Sequence, residues 1–432
     1  MAVIELGDMT AGHPPDPVAD PITAGLDRRR LRPVALVAVL LCLFACVAAV
    51  RPEPPGLRLL WTAPYVQEYE SITLSGDTLY VLSGGERAEV VAYSLADGRR
   101  LWRWGTDAHL ITVDPAPDGG PVLVTADPAS SGNPDGPAAQ ASRTTIALRA
   151  ATGAEMWRRP GEPHWDAIEA GSALLKEFDP RGGIASLSRV RLEDGVPVWT
   201  RSDGALIQDV GVDTAGDRVV TRTAAGDVTV LAWADGAGLA SRRITAGRGR
   251  YSEISVAAGL LFVTVFGADD PDTGVYRLDG LEPLVSGPLA NCVGVVCTWD
   301  AGEFAALAPE DGRELWRGPE IIASVMTSDR ILTDRQNGSE HVLLDSRTGR
   351  ELSEPVPGWI AWATRWQDEV LLLRATTEPI GRTSVTRLDL DTGRITVLGS
   401  LEPLPDQQSC RTVPGHLVCT GWDRMVVAAV PR

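Results

Sequence analysis

The chain has 432 residues, 57 acidic against 40 basic, and a formal charge of −17 at neutral pH. So acidic a chain is a poor partner for a phosphate backbone, so no nucleic-acid binding is expected. Its length excludes a small disulfide-stapled scaffold and allows a large core, while 44 glycines and 31 prolines imply many turns.

Residues 1–33 hold several Pro, Asp and Gly and read as a disordered cytoplasmic tail. Residues 34–50, VALVAVLLCLFACVAAV, are 17 apolar residues in a row. As a helix they span about 25 Å, slightly short of a roughly 30 Å hydrocarbon core. Arg28, Arg29, Arg30 and Arg32 precede them. The positive-inside rule then keeps the N-terminus in the cytoplasm and exports the rest. The expectation is a single-pass transmembrane helix. The alternatives are a cleaved signal peptide and a lipoprotein anchored through Cys46. Residues 51–56, RPEPPG, form a stiff linker.

From residue 57 to 432 one phrase recurs: an apolar run, Asp-Gly or Thr-Gly, a charged pair and often Trp. VVAYSLADGRRLW ends at Trp102, TTIALRAATGAEMW at Trp157, LSRVRLEDGVPVW at Trp199 and EFAALAPEDGRELW at Trp316. Weaker copies centre on Gly236, Gly280, Gly349 and Gly393. Gly98 to Gly393 covers 295 residues in seven intervals, about 42 residues each. Two further strand candidates precede each copy, so the repeat is a four-stranded propeller blade. The Gly supplies a hairpin with positive φ. The charged strand suits a blade's outer edge, and its Trp covers the gap to the next blade. Trp61, 41 residues before Trp102, marks a lone last strand whose partners lie at the C-terminus. The expected fold is all-β: one propeller of about eight four-stranded blades, nine being possible, preceded by one transmembrane helix.

LADGRRLW, ATGAEMW, APEDGRELW and LDLDTGRI resemble the tryptophan-docking repeat of pyrroloquinoline-quinone-like propellers. The resemblance covers roughly residues 57–432 and implies the fold. Members that lack the quinone include outer-membrane assembly lipoproteins of the BamB type and actinobacterial envelope proteins. Quinone-binding members carry a disulfide between adjacent cysteines and a calcium held by Glu, Asn and Asp. This chain has no adjacent cysteine pair, so none of the family's catalytic, cofactor or metal residues is carried over. No cofactor is expected.

Cys292/Cys297 and Cys410/Cys419 fall on the first and second strands of two blades, NCVGVVCTW and SCRTVPGHLVCTGW. Their matched positions predict two hairpin disulfides in an oxidising compartment. None of the five histidines has metal-ligand spacing. Asp97, Asp194, Asp235, Asp279 and Asp311 precede hairpin glycines, where Asp bonds its own backbone. The acidic loop ADDPDTG lacks calcium-loop spacing. WIAWATRW brings Trp359, Trp362, Arg365 and Trp366 together as a speculative patch for a sugar or peptide.

The functional expectation is a non-enzymatic binding or scaffold protein, tethered by the N-terminal helix and displayed outside the cell, with a protein or cell-wall partner. The alternatives are a quinone-dependent dehydrogenase and an extracellular ligand sensor.

Overall fold

The computed structural model describes residues 56–84, 88–127, 137–202, 204–213, 217–245, 251–266, 272–300, 302–319, 321–327, 329–335, 339–363, 368–404 and 409–431. The apolar segment 34–50, with Cys42 and Cys46, lies outside them. No helix among the described residues is long and apolar enough to cross a membrane.

The described residues hold 36 strands in two eight-stranded and five four-stranded sheets. One large sheet divides at a short parallel contact between Trp362 and Arg411, and the other at the single pair Ile184–Ile207. The strands therefore resolve into nine blades of four. Eight follow the chain: 70–106, 109–160, 162–201, 207–243, 251–287, 289–319, 322–357 and 359–401. The ninth takes three strands from 410–429 and its last from Arg58–Pro64, which pairs antiparallel with Arg424–Ala429. The N-terminal strand thus completes the C-terminal blade, and Trp61 sits opposite Val427.

Nine apolar clusters show why the blades hold together. Each straddles one pair of consecutive blades, from Leu82 with Leu110 between blades 1 and 2 round to Leu79 with Val427 between blades 1 and 9. The middle strands are sandwiched on both faces, so Thr78–Ser83 is buried along most of its length. The last strands are covered less, and Arg100–Thr106 buries only Trp102 fully. First strands touch first strands: Glu70–Ser75 meets His109–Pro115 and Cys410–Val413, and Ile207–Asp213 meets Tyr251–Ala257. Each blade's first strand is therefore its inner one.

The expectation of about eight blades gives way to nine. The degenerate copies build complete blades because other groups fill the Trp position, a backbone segment at Leu352 over Gly393 among them. In blade 5, Leu284 and Val285 stand where a Trp would, 3.7 and 3.5 Å from the Cβ position of Gly312. Blade 6 is compressed, yet it keeps four strands because its first, Leu289–Asn291, has only three residues. A short helix, Pro137–Ser142, lies between the second and third strands of blade 2.

Candidate functional site

The repeated tryptophans lie between blades. The indole N–H of Trp61 donates to the Leu95 carbonyl (2.8 Å), Trp102 to Ala150 (2.6 Å), Trp157 to Leu192 (2.8 Å), Trp199 to Trp233 (2.8 Å) and Trp316 to Ser346 (2.7 Å). Each acceptor belongs to the turn of the next blade, and each ring covers that turn's glycine. A Cβ on Gly98, Gly153, Gly195, Gly236 or Gly349 would lie within 2.6–2.8 Å of the ring. Those five indoles have their polar edge satisfied and their faces packed, so they offer a ligand little.

The sulfurs of Cys292 and Cys297 are 2.05 Å apart, and those of Cys410 and Cys419 are 2.00 Å apart. Cys410 and Cys419 face each other across the first and second strands of blade 9. Cys292 departs from the expected placement: it lies one residue past the first strand of blade 6, in the turn. All four cysteines are at most 1% exposed and sit in inter-blade clusters. Neither bridge can lie over a planar cofactor. Among the described residues no group of three His, Cys, Asp or Glu side chains converges as a metal site. The described residues do not fit the quinone–calcium arrangement of the resembling dehydrogenases.

The tryptophan cluster of blade 8 is split. Trp359 and Trp362 lie on its first strand, Trp359–Ala363, an odd number of residues apart, so they point to opposite faces. Trp359 borders a cleft of about 480 Å³ on the blade 7 side, with Ser339, Glu340 and Arg374. Trp362 borders a different pocket, of about 250 Å³, where blades 8, 9 and 1 meet. Arg365 and Trp366 lie outside the described residues, as do Asp269 and Asp270 of the acidic loop. The expected single patch of rings is therefore not formed by Trp359 and Trp362.

The seam pocket brings Trp362, 46% exposed, together with Tyr65, Gln67, Ser71, Arg411 and Thr420. Arg411 is exposed on the first strand of blade 9, in parallel register with Trp362. No ion pair or hydrogen bond engages its guanidinium among the described residues. The Tyr65 hydroxyl donates to the Glu70 carbonyl at 2.6 Å. Burial pushes its pKa up, the Glu70 carboxylate adds to that, and Arg411 opposes it. The pocket thus combines a half-open indole, hydroxyls and an unengaged cation, a set suited to a carboxylate next to an apolar group. Sequence reading missed Tyr65 and Arg411. Arg411 follows a buried cysteine on a strand, and strict alternation would have turned it outward.

A second polar cluster fills the contact between blades 2 and 3. Glu162 bridges Arg143 and Lys176, the latter at 3.0 Å. Burial, then the Lys176 charge, drives His164 down to about 4, with Glu162 opposing. Burial also raises Asp114, although its Thr112 hydrogen bond works against the shift. These groups are packed between blades and answer one another's charge.

A closed ring of four-stranded blades, stapled by Trp on Gly, defines a β-propeller. Residues 86–268 match the family model described as "Outer membrane protein assembly factor BamB", and the repeats of that span are of this type. No curated protein matches the chain significantly by sequence. Similar solved structures include BamB from Moraxella catarrhalis, at 13% identity and a TM-score of 0.41, covering 79% of this chain and 97% of that one. The computationally designed Ika8 protein, at 13% identity and 0.44, covers 87% and 98%. A europium-containing methanol dehydrogenase, at 11% identity and 0.42, covers 86% and 93%. Similarity at this level carries no argument about chemistry or partners.

Proposed function

We propose that the protein is a membrane-anchored, extracytoplasmic propeller that works as a non-enzymatic binding or scaffold protein at the cell envelope. One observation carries this reading: the seam pocket holds a half-exposed Trp362 beside Arg411, whose guanidinium no described residue engages, while the repeat tryptophans lie between blades. Such a site docks a partner and needs no bond chemistry. The BamB-type repeat and the buried disulfides support an envelope location. The anchor rests on the apolar stretch 34–50 and the arginines before it.

The test is crosslinking in native membranes with the full chain, followed by pull-down. The Trp362→Ala/Arg411→Ala double variant should lose the partner retained by the unaltered protein, at equal expression. An unchanged partner profile would count against the seam pocket. The enzymatic alternative, a quinone-dependent dehydrogenase, is tested by melting the protein with saturating quinone and Ca²⁺. A marked rise in Tm would favour it over the scaffold reading.

A further inference from the structure

A larger cleft opens on the other side of the ring, between blades 5 and 6. It encloses about 690 Å³, within the size range of small-ligand sites. Its cause is local. The first strand of blade 6, Leu289–Asn291, has three residues, whereas that of blade 5, Tyr251–Ala257, has seven. The Cys292–Cys297 bridge closes the turn directly after Asn291 and ends the strand there. The longer strand of blade 5 is left without a matching wall.

The exposed face of blade 5 is set by strand register. Glu253 pairs with Thr264 and Ser255 with Phe262, so all four point toward blade 6. Ser252, on the opposite face, bonds Arg222 of blade 4 instead. From blade 6 come Asn291 and Trp299. The Trp299 ring is fixed in place: its N–H donates to the Ile321 carbonyl at 3.0 Å, and Phe304 meets it edge-on with centroids 5.3 Å apart. Glu253 is the single charged side chain in the lining, it is exposed, and no hydrogen bond or ion pair engages it among the described residues.

We propose that this cleft binds an alkylammonium group, a primary ammonium on a short methylene stem. The ammonium meets the Glu253 carboxylate and the hydroxyl and amide oxygens of Ser255, Thr264 and Asn291. The stem lies against Trp299, whose π-face also attracts the cation, with Phe262 forming the buried floor. A carboxylate or phosphate ligand would meet the Glu253 charge and, among the described lining residues, no compensating cation. The same group occurs on a lysyl side chain and on a free aliphatic diamine. The cleft is separate from the seam pocket, so its test does not depend on the scaffold reading.

The experiment is calorimetric titration at physiological salt with cadaverine and with the blocked peptide Ala-Lys-Ala. The same peptide with norleucine in place of lysine is the neutral control. At least one ammonium probe should bind and the norleucine peptide should not; which one binds identifies the source. Glu253→Gln should weaken binding by roughly tenfold or more, and Ser255→Trp should fill the cleft and abolish it. Asp118→Asn removes an exposed charge elsewhere and should leave the affinity unchanged. No heat with either ammonium probe at millimolar concentration overturns the proposal. So does an affinity that Glu253→Gln leaves intact, or that Asp118→Asn lowers equally.

Discussion

Gly153 has no Cβ where the indole of Trp102 rests: a methyl there would lie 2.6 Å from the ring's Cε3. Its φ of +68° also disfavours any side chain. Gly76 has a similar φ, +54°, with nothing within 4 Å of the Cβ position. Gly76→Ala should therefore cost about 1–2 kcal/mol from the backbone alone. Gly153→Ala should cost a further ~1–3 kcal/mol for displacing the ring. Urea midpoints at constant slope separate the two. Equal losses would mean that the ring is not a rigid staple.

The indole hydrogen bond should be separable from the indole's bulk. Trp157→Phe keeps most of the ring and leaves the Leu192 carbonyl without its donor. The expected cost is about 1–3 kcal/mol. Trp157→Ala should cost about 3–5 kcal/mol, since it empties the gap between blades 2 and 3. The same urea titration reads both.

Ring closure depends on Arg58–Pro64. Removing it exposes the full edge of Arg424–Ala429 and uncovers the Gly98 turn. An uncovered strand edge is a template for pairing with another chain. The truncated protein should elute as oligomers in size-exclusion chromatography, where the intact propeller is compared at equal concentration. A well-behaved species of unchanged size would contradict the closure.

Stability should fall as pH drops from about 6.5 towards 4. His164 is held neutral by burial, with a pKa near 4 in the folded state against an ordinary 6.5. Within that window the unfolded chain binds the extra proton, so acid favours unfolding. The full effect is on the order of 3 kcal/mol. Asp166, raised by burial to about 6, works in the opposite direction, because its folded form binds the proton more tightly. Its side chain is on the exposed part of the strand, so solvent reduces its share. His164→Gln should show a smaller loss between pH 7 and pH 5 than the unaltered protein. Identical losses would remove His164 from the account.

The two bridges close loops of 5 and 9 residues' separation. Replacing either pair by serine should cost about 2–3 kcal/mol in the chain-entropy account. Thermal melts with and without reductant give the combined effect.

The propeller was legible because its signal is local and repeated. A Gly at a hairpin and a Trp four residues later are neighbours in the chain, and the period marks the repeat, including the blade split between the termini. The blade count was less legible. Repeats such as those at Gly280 and Gly349 lack the Trp, and only the packed structure shows that Leu284 or a backbone segment at Leu352 stands in its place. The site was legible in part. Trp362 stood out as an aromatic on a first strand, but Tyr65 and Arg411 carry no pattern of their own.

What the chain's order of residues settled alone is the repeat: turn, edge charge and docking ring are each decided within a few residues, by φ, by hydrogen bonding and by size. What the tertiary structure decided is which faces remain open. Trp359 and Trp362 part company because a strand alternates its faces. Tyr65 meets Arg411 because the two chain ends share one blade. Glu253 is left uncovered because a strand in the next blade stops after three residues. Such gaps depend on lengths compared between neighbours, and no single stretch of sequence contains that comparison.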